Sequence, residues 1–339
     1  MYVVFLLLLY GKKRKLCIEI PFHPWYDKRN EKERNMKPKF DFYDRTSLKS
    51  YNLDDSARYQ LNRLDSLDVF TRVHSENVAS LTCRICEYLH CKTAFTVYCT
   101  ICAYLHDIGK IFIPSKILQK PSRLTDEEYE IMKTHTTIGY NMCMEDLKLR
   151  PYANGPHYHH EALDGTGYPE GLTEKQIPYE AKIIRVADEY DAIVSKRQYK
   201  THIGISDTLK ILIENARPST LHAKVGKIDP KILKALFKVV IDDVEYEIFY
   251  TSDYLTYLKG EIKRLEQVDK YRIEMEKAKK DKDKNYYKEG MLILLKQKEG
   301  ETIENCTDVL KEYKEAYLAR QAELDKLNAE IKTIKKLKI

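Results

Sequence analysis

The 339-residue sequence lacks any apolar run long enough to cross a bilayer. Its strongest run, Val3–Leu9, is far shorter than the roughly 20 residues a spanning helix needs. No basic stretch precedes that run and no small-residue cleavage site follows it, so a cleavable signal peptide is not indicated. Three readings of it stay open: a buried strand or helix segment, the tail end of a membrane helix that starts before residue 1, and a weak surface anchor. In the second reading the basic run Gly11–Lys15 lies on the cytoplasmic side. The chain also lacks a dominant charge sign. Its 58 basic and 52 acidic residues leave a formal charge of +6, too little to argue for a nucleic acid polymer as partner. No repeat of fixed period is present. Eight cysteines without a secretory signal read as free thiols in a reducing, cytoplasmic compartment rather than as a disulfide framework.

What is present is enough apolar sequence, 43%, for a sizeable core, and 32% charged residues concentrated toward the C-terminus. Residues 1–58 combine the apolar run with a basic, proline-interrupted segment of poor periodicity. From Leu61 the spacing turns helical. Val78, Leu81, Ile85 and Leu89 follow intervals of three and four, as do Val97, Ile101, Leu105 and Ile108. Thr125 and Glu128 form a capping box that predicts a helix carrying Ile131, His135 and Ile138 on one face. A helix is expected over Tyr152–Glu161, a Gly- and Pro-containing loop over Asp164–Pro178, and a helix over Glu180–Val194 that places Ile184, Asp188 and Asp191 on one face. The segment Phe237–Thr251 is compatible with a short hairpin or with a helix. Beyond it, Leu310, Tyr313, Tyr317, Leu324, Leu327, Ile331 and Ile334 make the seam of a coiled coil or helical hairpin, suited to homodimerisation or to packing back on the core. The expected division is an N-terminal segment 1–58, a catalytic domain 59–237 and a charged helical extension 238–339.

The chemistry concentrates in imidazoles and carboxylates. His106-Asp107 closes an apolar helix and leads into Gly109; His159-His160 is a second adjacent pair; His135 and Asp188 lie on helix faces otherwise lined with apolar residues, and His74 comes just before a helix with an apolar stripe. A single histidine on an apolar face is usually a core residue. A set of this size, with carboxylates that are costly to bury unless paired or ligating, argues for an N/O metal site of the kind that activates water. The CxxC pairs Cys83–Cys86 and Cys99–Cys102 resemble a zinc pattern, but they fall inside apolar helices and read as buried packing thiols.

The ordered set His74, HDIGK, His135, HHE, DGTGYP, RVADEYDAI and SKRQYK resembles the HD-GYP phosphodiesterases, a branch of the HD hydrolase superfamily, over about Leu61–Leu236. The resemblance implies an all-α fold: an HD-type helical bundle with a GYP loop, followed here by the long helical or coiled-coil extension. It implies a metal-dependent phosphodiesterase that hydrolyses cyclic di-GMP to pGpG, GMP or both, through attack by metal-activated hydroxide. Carried over position by position, the metal ligands are His74, His106, Asp107, His135, His159, His160 and Asp188, with Asp107 bridging. Lys110 faces the scissile phosphate, and Arg185, Arg197, Lys200 and Tyr168 contact the nucleotide. Phe70 stands where some relatives place a glutamate for a third ion, so two divalent ions, iron or manganese, are expected. Tyr168 is suited to stack on a base or to brace its loop, and the loop is also a candidate protein contact. Two other functions remain in view: hydrolysis of a different cyclic dinucleotide, and a non-catalytic signalling adaptor acting through the GYP loop. The second predicts missing ligands, and none of the seven is missing.

Overall fold

A computed structural model of the chain describes residues 69–195, 203–218, 225–295, 302–303 and 305–339. The N-terminal apolar run and basic segment, together with Arg197 and Lys200, lie outside the described residues. Among the described residues there are eleven α-helices and no strand; the one extended pairing is an isolated bridge from Asp164 to Thr173. The all-helical expectation is met. No helix among the described residues is long and apolar enough to cross a membrane. The chain divides into two compact units. The first holds residues 69–83, Lys92–Lys120 and Leu124–His157, and the second holds Arg84–Cys91, Pro121–Arg123 and the chain from Tyr158 onward.

In the first unit α1 (Val69–Tyr88) begins and α2 (Thr93–Leu105) follows. Most of the predicted stripe residues are buried, Val78, Leu81, Ile101, Leu105 and Ile108 among them, while Leu89 and Val97 are half-buried. His74 lies inside α1 rather than before it. Cys83, Cys99, Cys102 and, farther along α1, Cys86 are buried free thiols, as the packing reading expects. Helix α2 ends at His106, and Asp107 opens a 3-10 turn over Ile108–Phe112 before the short α3 (Ser115–Leu118).

The predicted capping box starts α4 (Asp126–Lys133). The Glu128 backbone N–H donates to Thr125 Oγ1 at 3.3 Å, and the Thr125 N–H donates to Glu128 Oε2 at 2.8 Å. The single helix expected beyond it is divided, however, and α5 (His135–Glu145) starts after Thr134. Three consecutive side chains turn back on the preceding carbonyls: Thr134 Oγ1 on Ile131 at 2.7 Å, His135 Nδ1 on Met132 at 2.7 Å and Thr136 Oγ1 on Lys133 at 2.9 Å. Side chains that bond to nearby carbonyls compete with the helical ladder and interrupt it. The helix expected over Tyr152–Glu161 is shorter than predicted: a 3-10 turn at Arg150–Tyr152 and then α6 (Asn154–Tyr158).

The second unit contains α7 (Tyr179–Val194), α8 (Ile205–Ala216), α9 (Pro230–Lys277), α10 (Asp281–Leu295) and α11 (Cys306–Ile334). Asp229 caps α9 by accepting from the backbone of Lys231 and Ile232, with Pro230 in the first turn where its missing N–H costs nothing. The open choice over Phe237–Thr251 resolves to helix, and the expected boundary at 237/238 falls inside the unbroken α9. Contacts of Glu245 with Lys335, Tyr254 with Arg320 and Glu266 with Lys314 run in opposite chain order, so α9 and α11 are antiparallel. Leu265, Val268, Met291, Leu295, Cys306 and Leu310 form a buried cluster among α9, α10 and α11.

One close approach in the first unit fixes the HD turn. A Cβ on Gly109 would lie 2.0 Å from the His135 carbonyl oxygen and 2.7 Å from the Gly139 nitrogen, both backbone atoms. The 3-10 turn therefore rests on the first turn of α5 with no room for a side chain. Gly109→Ala is expected to destabilise the chain by about 3 kcal/mol, read as a lower urea midpoint at unchanged slope. Gly260→Ala in α9, where a new Cβ meets nothing within 4 Å, is the control and should be neutral or slightly stabilising.

Candidate metal centre

Within the first unit, four of the sequence-predicted ligands meet at one carboxylate. Asp107 is 1% exposed, and His106 and His135 are as deeply buried. Asp107 Oδ2 lies 3.3 Å from His106 Nε2 and 3.8 Å from His74 Nε2, and Oδ1 lies 3.4 Å from His135 Nε2. The rings of His74 and His106 meet edge to face, with centroids 5.3 Å apart. Lys110, expected to face a phosphate, donates to Asp107 Oδ2 at 2.5 Å.

Two backbone carbonyls aim the imidazoles. His106 Nδ1 bonds to Ala103 O at 2.6 Å, and His135 Nδ1 bonds to Met132 O at 2.7 Å, so each ring turns its Nε2 toward Asp107. A hydrogen bond at one ring nitrogen that sets the other up as a ligand is the usual support for a metal-binding histidine. Burial, and then the Lys110 ammonium, push the His135 pKa down from 6.5 to about 4. The ring is thus neutral near pH 7, its proton lies on Nδ1, and a lone pair on Nε2 faces a carboxylate oxygen. Burial raises the pKa of Asp107, but the charges of His106 and Lys110 beside it hold it well below the usual carboxylate range. An anionic oxygen and a nitrogen lone pair 3.4 Å apart repel, and a shared cation turns that repulsion into two bonds. The donor set is imidazole and carboxylate, which suits iron, manganese or zinc. The residues therefore fit a divalent metal.

Within the second unit, His159 and His160 form the turn after α6, with ring centroids 4.1 Å apart, and His160 Nδ1 lies 3.8 Å from Asp188 Oδ2 on α7. His159 and Asp188 are buried. Tyr168 lies against the His160 ring, with centroids 4.7 Å apart. The Tyr168–Pro169 peptide bond is cis. Arg185, expected at the nucleotide, donates from Nη1 to the His160 carbonyl at 2.8 Å and pairs through Nη2 with Glu189 at 2.6 Å. Its guanidinium holds the histidine turn. Sequence reasoning missed Glu161, whose buried carboxylate accepts three backbone N–H groups of the GYP loop. The available signal was an acid next to two histidines and followed by Ala162-Leu163, an apolar setting that demands a partner.

The depressed pKa of His135 has a pH consequence for metal-free protein. The unfolded chain takes up this proton near pH 6.5 and the folded chain only near 4, so the unfolded state binds more protons in between. The contribution is fully present above pH 6.5 and is lost as pH falls toward 4, at a cost on the order of 3 kcal/mol. Urea titrations of chelator-treated protein between pH 7 and 4 are expected to show this slope, and His135→Asn is expected to flatten it.

A family profile described as the HD domain matches residues 55–225, half of the chain. The chain is 35% identical over 219 residues to a cyclic di-GMP phosphodiesterase of Thermotoga maritima, covering 62% of this chain and 57% of that protein. It is 32% identical over 186 residues to a cyclic di-GMP phosphodiesterase of Pseudomonas aeruginosa, covering 55% and 43%. It is also 32% identical over 192 residues to a 3'3'-cGAMP-specific phosphodiesterase of Vibrio cholerae, covering 56% and 40%. The chain spans about half the length of these curated relatives. The matched region contains the buried His106-Asp107 pair and every other ligand expected from the motifs, and on that match the chain belongs to the HD domain family.

Proposed function

We propose that the chain is a metal-dependent phosphodiesterase that hydrolyses cyclic di-GMP to pGpG, GMP or both, in the cytoplasm. The observation that carries this reading is the Asp107 carboxylate, buried among three imidazole Nε2 atoms of which His135 is held neutral. The proposed ligands are His74, His106, Asp107 and His135 from the first unit and His159, His160 and Asp188 from the second. These residues would hold two divalent ions, iron or manganese. Such ions, when bound, polarise a phosphoryl oxygen and lower the pKa of water. The catalytic domain is proposed to extend over 59–237.

The chain's own residues supply the rest. Ala103 O and Met132 O orient His106 and His135, so the ligands are in position before a metal arrives. Lys110 pairs with Asp107 in this structure, and its ammonium would stabilise charge developing on the phosphate. Tyr168 presents a flat aromatic surface suited to a guanine base. Arg197 and Lys200 supply the remaining cationic contacts in this reading. A second substrate is favoured by a specific observation: one relative of comparable identity is named as specific for 3'3'-cGAMP.

Purified chain reconstituted with manganese or ferrous iron is expected to convert cyclic di-GMP to pGpG or GMP, and to lose that activity on chelation and in Asp107→Ala. Lys110→Ala is expected to lower kcat by about 10²–10³-fold with little change in KM. Competition between cyclic di-GMP and 3'3'-cGAMP ranks the two substrates. Protein shown by metal analysis to be loaded, yet inert toward every cyclic dinucleotide, sinks the reading.

A further inference from the structure

We infer that Glu161 is a positioning residue that fastens the Asp164–Thr173 loop to the histidine turn and so fixes the His160 ring. This rests on the proposed role of His160 as a metal ligand.

The inference starts from a buried charge. Glu161 is 1% exposed and makes no ion pair among those observed; its carboxylate is satisfied by backbone. Oε1 accepts from the N–H groups of Glu170 at 2.7 Å and Gly171 at 3.1 Å, and Oε2 accepts from Leu172 at 2.8 Å. Three consecutive backbone donors converge on one side chain because Gly171 takes a positive φ of 67°, which turns the chain around the carboxylate. Charge-assisted bonds of this kind are roughly twice as strong as neutral ones.

The other side of the loop is fastened to the same turn. The Tyr168 N–H donates to the His160 carbonyl at 3.2 Å, beside the Arg185 donor on the same oxygen. A Cβ on Gly167 would lie 2.3 Å from the Ala162 nitrogen and 2.5 Å from the His160 oxygen, so the loop backbone lies directly on the histidine turn. The Tyr168 ring meets the His160 ring at 4.7 Å. Glu161 therefore acts at one remove: it places the loop, the loop places Tyr168, and Tyr168 limits the rotation of His160. Its adjacency to His160 in sequence makes the arrangement a single local lever. The chemistry calls for a carboxylate, since a glutamine in its place offers one acceptor oxygen and presents an NH₂ group to a facing N–H.

The test uses the full chain and two variants, Glu161→Gln and Glu161→Ala, with three measurements. Hydrogen exchange by mass spectrometry reads protection of residues 164–173, with α9 as the internal check on folding. Calorimetric titration with manganese alone reads the metal affinity. The expected result is protected loop amides in the unaltered chain and their loss in both variants. Protection in α9 should be unchanged. Manganese affinity should fall by about 10–100-fold for Ala, as for other residues that orient ligands, and by less for Gln. In turnover with cyclic di-GMP, the same variants should raise KM more than they lower kcat, because Tyr168 moves with the loop. Rapid loop exchange in the unaltered chain, or a freed loop with manganese affinity unchanged, overturns the inference. If the unaltered chain binds no manganese while its loop stays protected, the metal reading of His160 falls and the attachment of the loop by Glu161 stands.

Discussion

The arrangement of the first unit depends on one unfavourable act, the burial of the Asp107 carboxylate. Withdrawing a charge from water costs several kcal/mol unless nearby groups replace the lost solvation. Here the replacement comes from His106, adjacent in sequence, and Lys110 one turn on, while His74 and His135, brought in from α1 and α5, complete the set of groups around the carboxylate. None of these can shift freely. His106 and His135 are tied to carbonyls in the last turns of α2 and α4, and the 3-10 turn carrying Lys110 is pressed on α5 at Gly109. A rigid ring of donors around a carboxylate pre-organises the site for a cation and makes the same ring sensitive to protons, since both compete for the same lone pairs.

The second unit solves a similar problem with backbone in place of side-chain charge. Glu161 is buried on three N–H groups, and Arg185 is shared between the His160 carbonyl and Glu189. Glu189 also accepts from Asn215 on α8, and the Asn215 carbonyl receives the N–H of Lys227. Lys227 in turn accepts from Leu163, at the base of the GYP loop. The histidine turn, α7, α8 and the loop are thus joined by bonds that each end on a residue already held by another. A loop rich in Gly and Pro would otherwise be the most mobile part of such a site. The circuit of hydrogen bonds removes that freedom where two proposed ligands need it removed.

Much of this was legible in the sequence, and the exceptions have physical causes. The capping box at Thr125 and Glu128, the apolar stripes of α1 and α2 and the HD pair at a helix end are local signals, and the structure repeats them. The break at Thr134 was hidden because hydrophobic spacing continues across it; the cause is side-chain bonding by Thr134, His135 and Thr136, to which an apolar pattern is blind. Position 74 was expected before a helix because polar residues precede the stripe, yet α1 already includes Val69. Phe237–Thr251 could not be assigned from its β-branched content, since packing overrides propensity of that size. The bond from Arg185 to the His160 carbonyl was hidden for another reason. A basic residue near a phosphate site and a basic residue holding a carbonyl look alike until the carbonyl's position is known.

The C-terminal helices bear on whether the apolar seam of α11 is available to a second copy. Leu310, Ile331 and Ile334 are buried, and Tyr313 packs with the cluster formed by α9 and α10. The ion pairs Glu266–Lys314 and Glu245–Lys335 flank the antiparallel contact with α9. A coiled-coil dimer through the same seam would have to exchange these intrachain partners for identical ones from another chain. That exchange adds little apolar burial, and it costs the entropy of association. Of the seven residues singled out from spacing, Leu310, Tyr313, Ile331 and Ile334 thus pack within the chain. The extension is anchored to α8 as well, because the α8 N-terminus donates from Ser206 to Glu330 of α11 at 2.6 Å. Helix α11 thus touches α9 and also α8, whose Asn215 bonds to Glu189 on α7. The extension is a structural part of the unit that carries His159, His160 and Asp188.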